Sequence, residues 1–126
     1  MTYTKLLLID DDEEDLEIFL SALKKIDGQI TCFTESNARL ALQKLITRQI
    51  ATDIIFVDLN MPVMTGQEFL LEIKKEDHLT DIPVVIFSTS AHAPTIRLTK
   101  ELGAKDFITK PDKYSDLVKI LQTFLK

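Results

Sequence analysis

Cysteine is almost missing from this sequence: Cys32 is the only one. An internal disulfide needs a pair and a cysteine-based zinc site needs more, so both are excluded. Glycine and proline are scarce, three and four in 126 residues, which argues against a loop-rich or collagen-like chain. No apolar run approaches the roughly 20 residues that cross a bilayer; a typical one is Leu6–Ile9. No basic segment leads into a long apolar stretch at the start, so no secretory signal is read and the expected compartment is the cytoplasm. Basic residues are outnumbered 15 to 20, for a net charge of −5, which disfavours nonspecific binding to nucleic acid.

What is present fits one folded domain, expected to span 1–126. The chain is 45% apolar and 28% charged, ordinary values that exclude disorder. The acid is unevenly spread: residues 10–15 read DDDEED. Such a run is usually a solvated face, but this one follows directly on an apolar run. Short β-type runs recur at Lys5–Ile9, Gln29–Phe33, Asp53–Val57, Val84–Ser88 and Asp106–Thr109. The first, third and fourth are apolar almost throughout, as parallel strands covered on both faces are.

Helical spacing fills the gaps. It is carried by Leu16, Phe19, Leu20, Leu23 and Ile26; by Leu40, Leu42, Leu45 and Ile46 behind a capping candidate, Ser36; and by Phe69, Leu70 and Ile73. A fourth helix opens with Pro94, carries Ile96, Leu98 and Leu102 and stops at Gly103. A fifth carries Leu117, Ile120, Leu121 and Phe124, with Asp112 or Ser115 near its start. Five βα units predict a doubly wound α/β fold of flavodoxin-like order 2-1-3-4-5, with five parallel strands and five helices.

That topology predicts a site. Open α/β sheets bind ligands beyond the carboxyl ends of their strands, at the switch point between strands one and three. Strand one ends in Asp10, Asp11 and Asp12, strand three in Asp58, strand four in Ser88 and Thr89, and strand five in Lys110. Crowded carboxylates repel unless one protonates or a cation joins them. Lys110 offers one positive charge, and oxygen ligands of this kind suit Mg²⁺. Neither GxGxxG nor GxxxxGK[ST] occurs, so nucleotide binding is not expected. Carboxylates, a lysine and a hydroxyl suit phosphoryl chemistry on a side chain.

These residues resemble the receiver domain of two-component response regulators. The matching stretches are LLLIDDDEED at 6–15, DIIFVDLNMPVMTG at 53–66, IPVVIFSTSA at 82–91 and GAKDFITKP at 103–111. The resemblance implies that Asp58 accepts a phosphoryl group from a histidine kinase or phosphotransfer protein. It implies that Asp11 binds the metal directly, Asp10 beside it, and that Asn60 lends its backbone carbonyl. The metal would be Mg²⁺, with Mn²⁺ as a substitute. Ser88 matches the hydroxyl that binds the phosphoryl group, Lys110 the lysine that pairs with it, and Phe107 the switch aromatic. The Lys110–Pro111 bond would be cis. The output surface would be the fourth helix, fifth strand and fifth helix, in a monomer or weak homodimer. The domain would catalyse only its own phosphorylation and dephosphorylation. With no output domain in view it would act by binding a protein target or passing the phosphoryl group on, without direct contact with nucleic acid or membrane.

Some positions depart from the family pattern. A third aspartate, Asp12, is expected to begin or cap the first helix. Ser88 stands where Thr is frequent, and Phe107 lacks a hydroxyl. Asn60 and Thr89 are modulating positions; the branched Thr89 is expected to restrict access to Asp58 and slow dephosphorylation. Cys32 is expected to be buried, His78 to be solvated, His92 to sit in a loop, and Met61 and Met64 to pack the loop after Asp58. Two other functions stay open. One is a phosphorylation-independent interaction module on the same fold, although such modules usually lose the acidic pair, the acceptor or the lysine. The other is a phosphatase with an aspartyl nucleophile, which needs a second acid where this chain has Asn60.

Overall fold

The computed structural model describes residues 3–90 and 92–125. Its elements alternate strictly: β1 Lys5–Ile9, α1 Glu13–Ile26, β2 Thr31–Glu35, α2 Ala38–Ile46, β3 Ile54–Val57, α3 Gly66–Ile73, β4 Val84–Ser88, α4 Ala93–Glu101, β5 Asp106–Thr109 and α5 Tyr114–Leu125. The strands form one parallel sheet in the order β2-β1-β3-β4-β5. This is the flavodoxin-like architecture that the alternation predicts. The residues Ala91 and Lys126, which fall in the stretches read above, lie outside the described part. No helix among the described residues is long and apolar enough to cross a membrane.

The strands are apolar on both faces because both faces are covered. Leu7, Ile9, Ile55, Val57 and Ile86 pack with α2 and α3 through Ala41, Leu45, Phe69 and Leu70. Leu6, Leu8, Phe56 and Phe87 pack with α1 and α5 through Phe19, Leu23, Leu117 and Leu121. On that second side Phe19 meets Phe56 and Phe87 edge-on, with centroids 5.3 and 5.6 Å apart. Each fully buried aromatic of this kind contributes roughly 1.5–3 kcal/mol of apolar burial.

Several expected boundaries move, each for a local reason. β2 begins at Thr31 rather than Gln29, because Asp27 ends α1 and its side chain and carbonyl turn the chain by accepting from the Gln29 and Ile30 N–H groups. β2 then runs on to Glu35, opposite Ile9. α2 is capped by Asn37, whose side chain accepts from Leu40 N–H at 3.1 Å, and not by Ser36. Leu40 and Ile46 face outward. α5 starts at Tyr114, after Lys113, whose carbonyl accepts from the Asp116 and Leu117 N–H groups. Asp12 does cap α1, accepting from the Glu14 and Asp15 N–H groups at 3.0 and 3.2 Å. Pro94 lies in the first turn of α4, and Gly103 follows its end at φ 109°, a left-handed conformation that favours glycine. Cys32 is half-buried, since β2 is a sheet edge, and what burial it has pushes its thiol up to about 12.

Candidate functional site

The sheet's register brings the acidic residues together. The Asp58 N–H donates to the Ile9 carbonyl and the Asp10 N–H to the Glu35 carbonyl, both at 3.0 Å. The ends of β1 and β3 therefore stand side by side, with Ile9 opposite Val57. Carboxylate oxygens of Asp10, Asp11 and Asp58 lie within 4.8 Å of one another. Asp10 is 2% exposed and Asp58 9%, while Asp11 faces solvent. Three hard oxygen donors at this spacing fit a divalent cation.

Lys110 arrives from the end of β5. Its Nζ donates to Asp10 Oδ2 at 2.7 Å, Asp15 Oδ2 at 2.8 Å and Asp58 Oδ2 at 3.1 Å. It also lies 5.8 Å from the centre of the Phe87 ring. Its backbone N–H donates to the Ser88 carbonyl at 2.9 Å, so β4 and β5 deliver their end residues together. Burial alone would push the Lys110 ammonium down. The hydrogen bonds it donates to Asp10 and Asp15, with the charge of Asp58, outweigh it and hold the ammonium well above its ordinary range. Burial pushes the Asp10 carboxyl up, opposed by Lys110 and the Asp12 N–H and reinforced by the like charge of Asp58.

The loop after β3 is tightly made. Asp58 Oδ1 accepts from the Leu59 N–H at 2.7 Å. Met61 and Met64 are buried beneath the loop, as expected. Thr65 and Glu68 form a reciprocal capping box at the start of α3. Gly66 N–H donates to the Leu59 carbonyl, and a Cβ at Gly66 would stand 2.3 Å from the Asp58 carbonyl oxygen. Only glycine lets the helix start so close to the strand end.

The opposite rim comes from the loop after β4. Ser88 is fully buried, and its Oγ accepts from the Ser90 N–H at 3.3 Å. The Asn60 side chain donates to Ser90 Oγ at 2.9 Å, linking the two loops. Thr89 is exposed at this rim. Phe107 is half-buried against the core on the α2 and α3 side. His92 precedes α4 without a side-chain cap, and His78, though exposed, contacts the Leu45 carbonyl through Nε2 at 3.2 Å. No peptide bond among the described residues is cis, so Lys110–Pro111 is trans, contrary to expectation; trans is the lower-energy form of an X–Pro bond.

One residue of the site escaped the sequence reading. Asp15 looks like one more solvated member of an acidic run. It falls in the first turn of α1, where side chains lean toward the helix start. Here that direction leads back over the strand ends and onto Lys110.

The chain matches the family model of the response regulator receiver domain over residues 6–122. It is 34% identical over 123 residues to the two-component response regulator ORR13 of Oryza sativa, covering 96% of this chain and 98% of that one. It is 37% identical over 126 residues to a protein-glutamate methylesterase/protein-glutamine glutaminase of Treponema denticola, but spans only 33% of that protein's length. Among solved structures, the Mn²⁺-bound form of response regulator Rcp1 superposes with a TM-score of 0.85 at 27% identity, over 98% of this chain and 95% of that one. The fold and the acidic strand ends define a receiver. The chain belongs to the response regulator receiver domain family of two-component signalling.

Proposed function

We propose that the chain is a phosphorylation-activated switch with Asp58 as the phosphoacceptor. The observation that carries this reading is the set of Asp10, Asp11 and Asp58 carboxylate oxygens within 4.8 Å of one another, with Lys110 bonded to two of the three residues. An oxygen of Asp58 attacks the phosphorus of a phosphohistidine in line. The new O–P bond forms as the P–N bond breaks, and the electron pair leaves on the imidazole nitrogen. Asp10, Asp11, Asp58 and the Asn60 backbone carbonyl would hold Mg²⁺, which when bound supplies positive charge to the transferring oxygens. Lys110 neutralises a phosphoryl oxygen. Ser88, whose oxygen accepts from Ser90, keeps its own hydrogen to donate.

The partners are a histidine kinase or histidine phosphotransfer protein on the input side and a protein target on the output side, all in the cytoplasm. The added charge draws Ser88 and the β4–α4 loop inward and gives Phe107, which lies half-buried, room to turn. This changes the α4/β5/α5 surface. Thr89, exposed at the rim, would shield the acyl phosphate from water; an unchanged phosphoryl half-life in Thr89→Ala would count against that role.

The test is intact mass after acetyl phosphate, with and without Mg²⁺. One added phosphoryl group is expected, dependent on Mg²⁺ and absent in Asp58→Asn. A folded protein that gains no mass and binds no beryllofluoride would overturn the reading.

A further inference from the structure

An ammonium carries three hydrogens, and Lys110 gives one to each of three different carboxylates. Two of the acceptors, Asp10 and Asp58, belong to the carboxylate group fit to hold a cation; Asp15 does not. The bond to Asp15 at 2.8 Å is shorter than the bond to Asp58 at 3.1 Å. Asp15 is also set apart by exposure: its side chain is 34% exposed against 2% for Asp10, so it stands at the rim of the pocket and not within it. Its backbone is fixed, because its N–H is held by the Asp12 cap and α1 is anchored a turn later by the fully buried Phe19.

We propose that Asp15 is a positioning residue that draws Lys110 toward α1 and so loosens the lysine's hold on Asp10 and Asp58. The inference rests on the receiver reading above. Its consequences run in opposite directions for the two ligands of the pocket. A cation must win the oxygens of Asp10 and Asp58 from Lys110, and Asp15 eases this by giving the ammonium a partner outside the cation's reach. A phosphoryl group must win Lys110 itself, and here Asp15 competes. The resting lysine has no free hydrogen, so the incoming anion exchanges for a carboxylate rather than adding to the site.

Asp15→Asn therefore weakens Mg²⁺ binding and, at saturating Mg²⁺, tightens beryllofluoride binding, each by about threefold, the scale of a partly exposed ion pair. Both affinities are read by NMR titration of the wild type, Asp15→Asn, Asp15→Glu and Glu14→Gln. Asp15→Glu keeps the carboxylate and returns both values toward wild type. Glu14→Gln removes a first-turn charge with the same helix-end effect and leaves both within error. If Asp15→Asn moves both affinities the same way, or neither, or if Glu14→Gln reproduces its effect, the inference is overturned while the receiver reading stands. A folded wild type that binds no beryllofluoride overturns the receiver reading and this inference with it.

Discussion

β3 has an aspartate at each end, and the two are used in opposite ways. Asp53, just before the strand, accepts from the Thr4 N–H, the Thr4 hydroxyl and the Lys5 N–H, all at 2.9 Å. Led by the Thr4 backbone bond, these donors hold its carboxyl below the ordinary range. One carboxylate meets three donors, and the result is a clamp between β1 and β3. At the other end, Asp58 stands in a group of carboxylates that share one ammonium, and burial raises the neighbouring Asp10. The contrast teaches that an aspartate at a strand end is structural when donors outnumber it. At the other end it is positive charge that is short, one ammonium serving Asp10, Asp15 and Asp58, and such a site has room for a further cation.

Substitutions that reverse those ratios test this contrast. The largest effect is expected from Lys110→Met, which leaves Asp10 buried without a counter-charge and costs about 3 kcal/mol of stability in chemical denaturation. A loss below about 1 kcal/mol would mean that water already compensates these carboxylates. Gly66→Ala follows, at about 2 kcal/mol, because the added methyl overlaps the Asp58 carbonyl and must push α3 away. Retention of wild-type stability would show that the helix start yields freely. At the clamp, Asp53→Ala is expected to cost about 1 kcal/mol, since the bonds it removes are exposed and water replaces them in part.

The smallest effect is Asp10→Asn: unchanged stability or a gain of up to about 1 kcal/mol, because removing a buried charge among like charges offsets the lost ion pair. A clear loss would place Asp10 with Asp53 among the structural carboxylates. Acid titration sharpens the same contrast. Asp53, held below its ordinary 3.8 in the fold, contributes stability that is present above that pH and fades as pH falls through its lower folded value. Asp10, raised above 3.8, acts with the opposite sign: protonation relieves its cost as pH falls through a folded value above 3.8. Unfolding free energies of Asp53→Asn should therefore depend less steeply on acid than those of the wild type, and those of Asp10→Asn more steeply. Identical slopes in all three would break the distinction.

The fold was legible because it rests on patterns one residue can spoil only locally. Apolar runs at β1, β3 and β4 state that both faces are covered, and the βα rhythm leaves little choice of topology. The strand ends followed, and with them Asp10, Asp11, Asp58, Ser88 and Lys110 at one edge of the sheet. What stayed hidden depends on contacts between residues far apart in sequence. Asp15 reaches Lys110 across 95 positions, and no local pattern distinguishes it from Glu13 or Glu14 beside it. The Asn60–Ser90 bond spans 30 positions in the same way. The Thr65–Glu68 capping box is different: its Thr-x-x-Glu spacing stands in the sequence and marks where α3 begins.

The close approach at Gly66 gives the site a mechanical direction. On one side, the capped start of α3 rests against the Asp58 carbonyl and is backed by Met61, Met64 and Phe69, all buried. On the other, α4 follows His92, which makes no side-chain cap bond, and buries only Thr99 among its residues, so its docking is the shallower of the two. The pocket thus has a stiff wall and a soft one. If Asp58 takes up a phosphoryl group as proposed, the strain would meet a fixed wall at α3 and be relieved on the α4 side, as a spring fixed at one end moves only at the other.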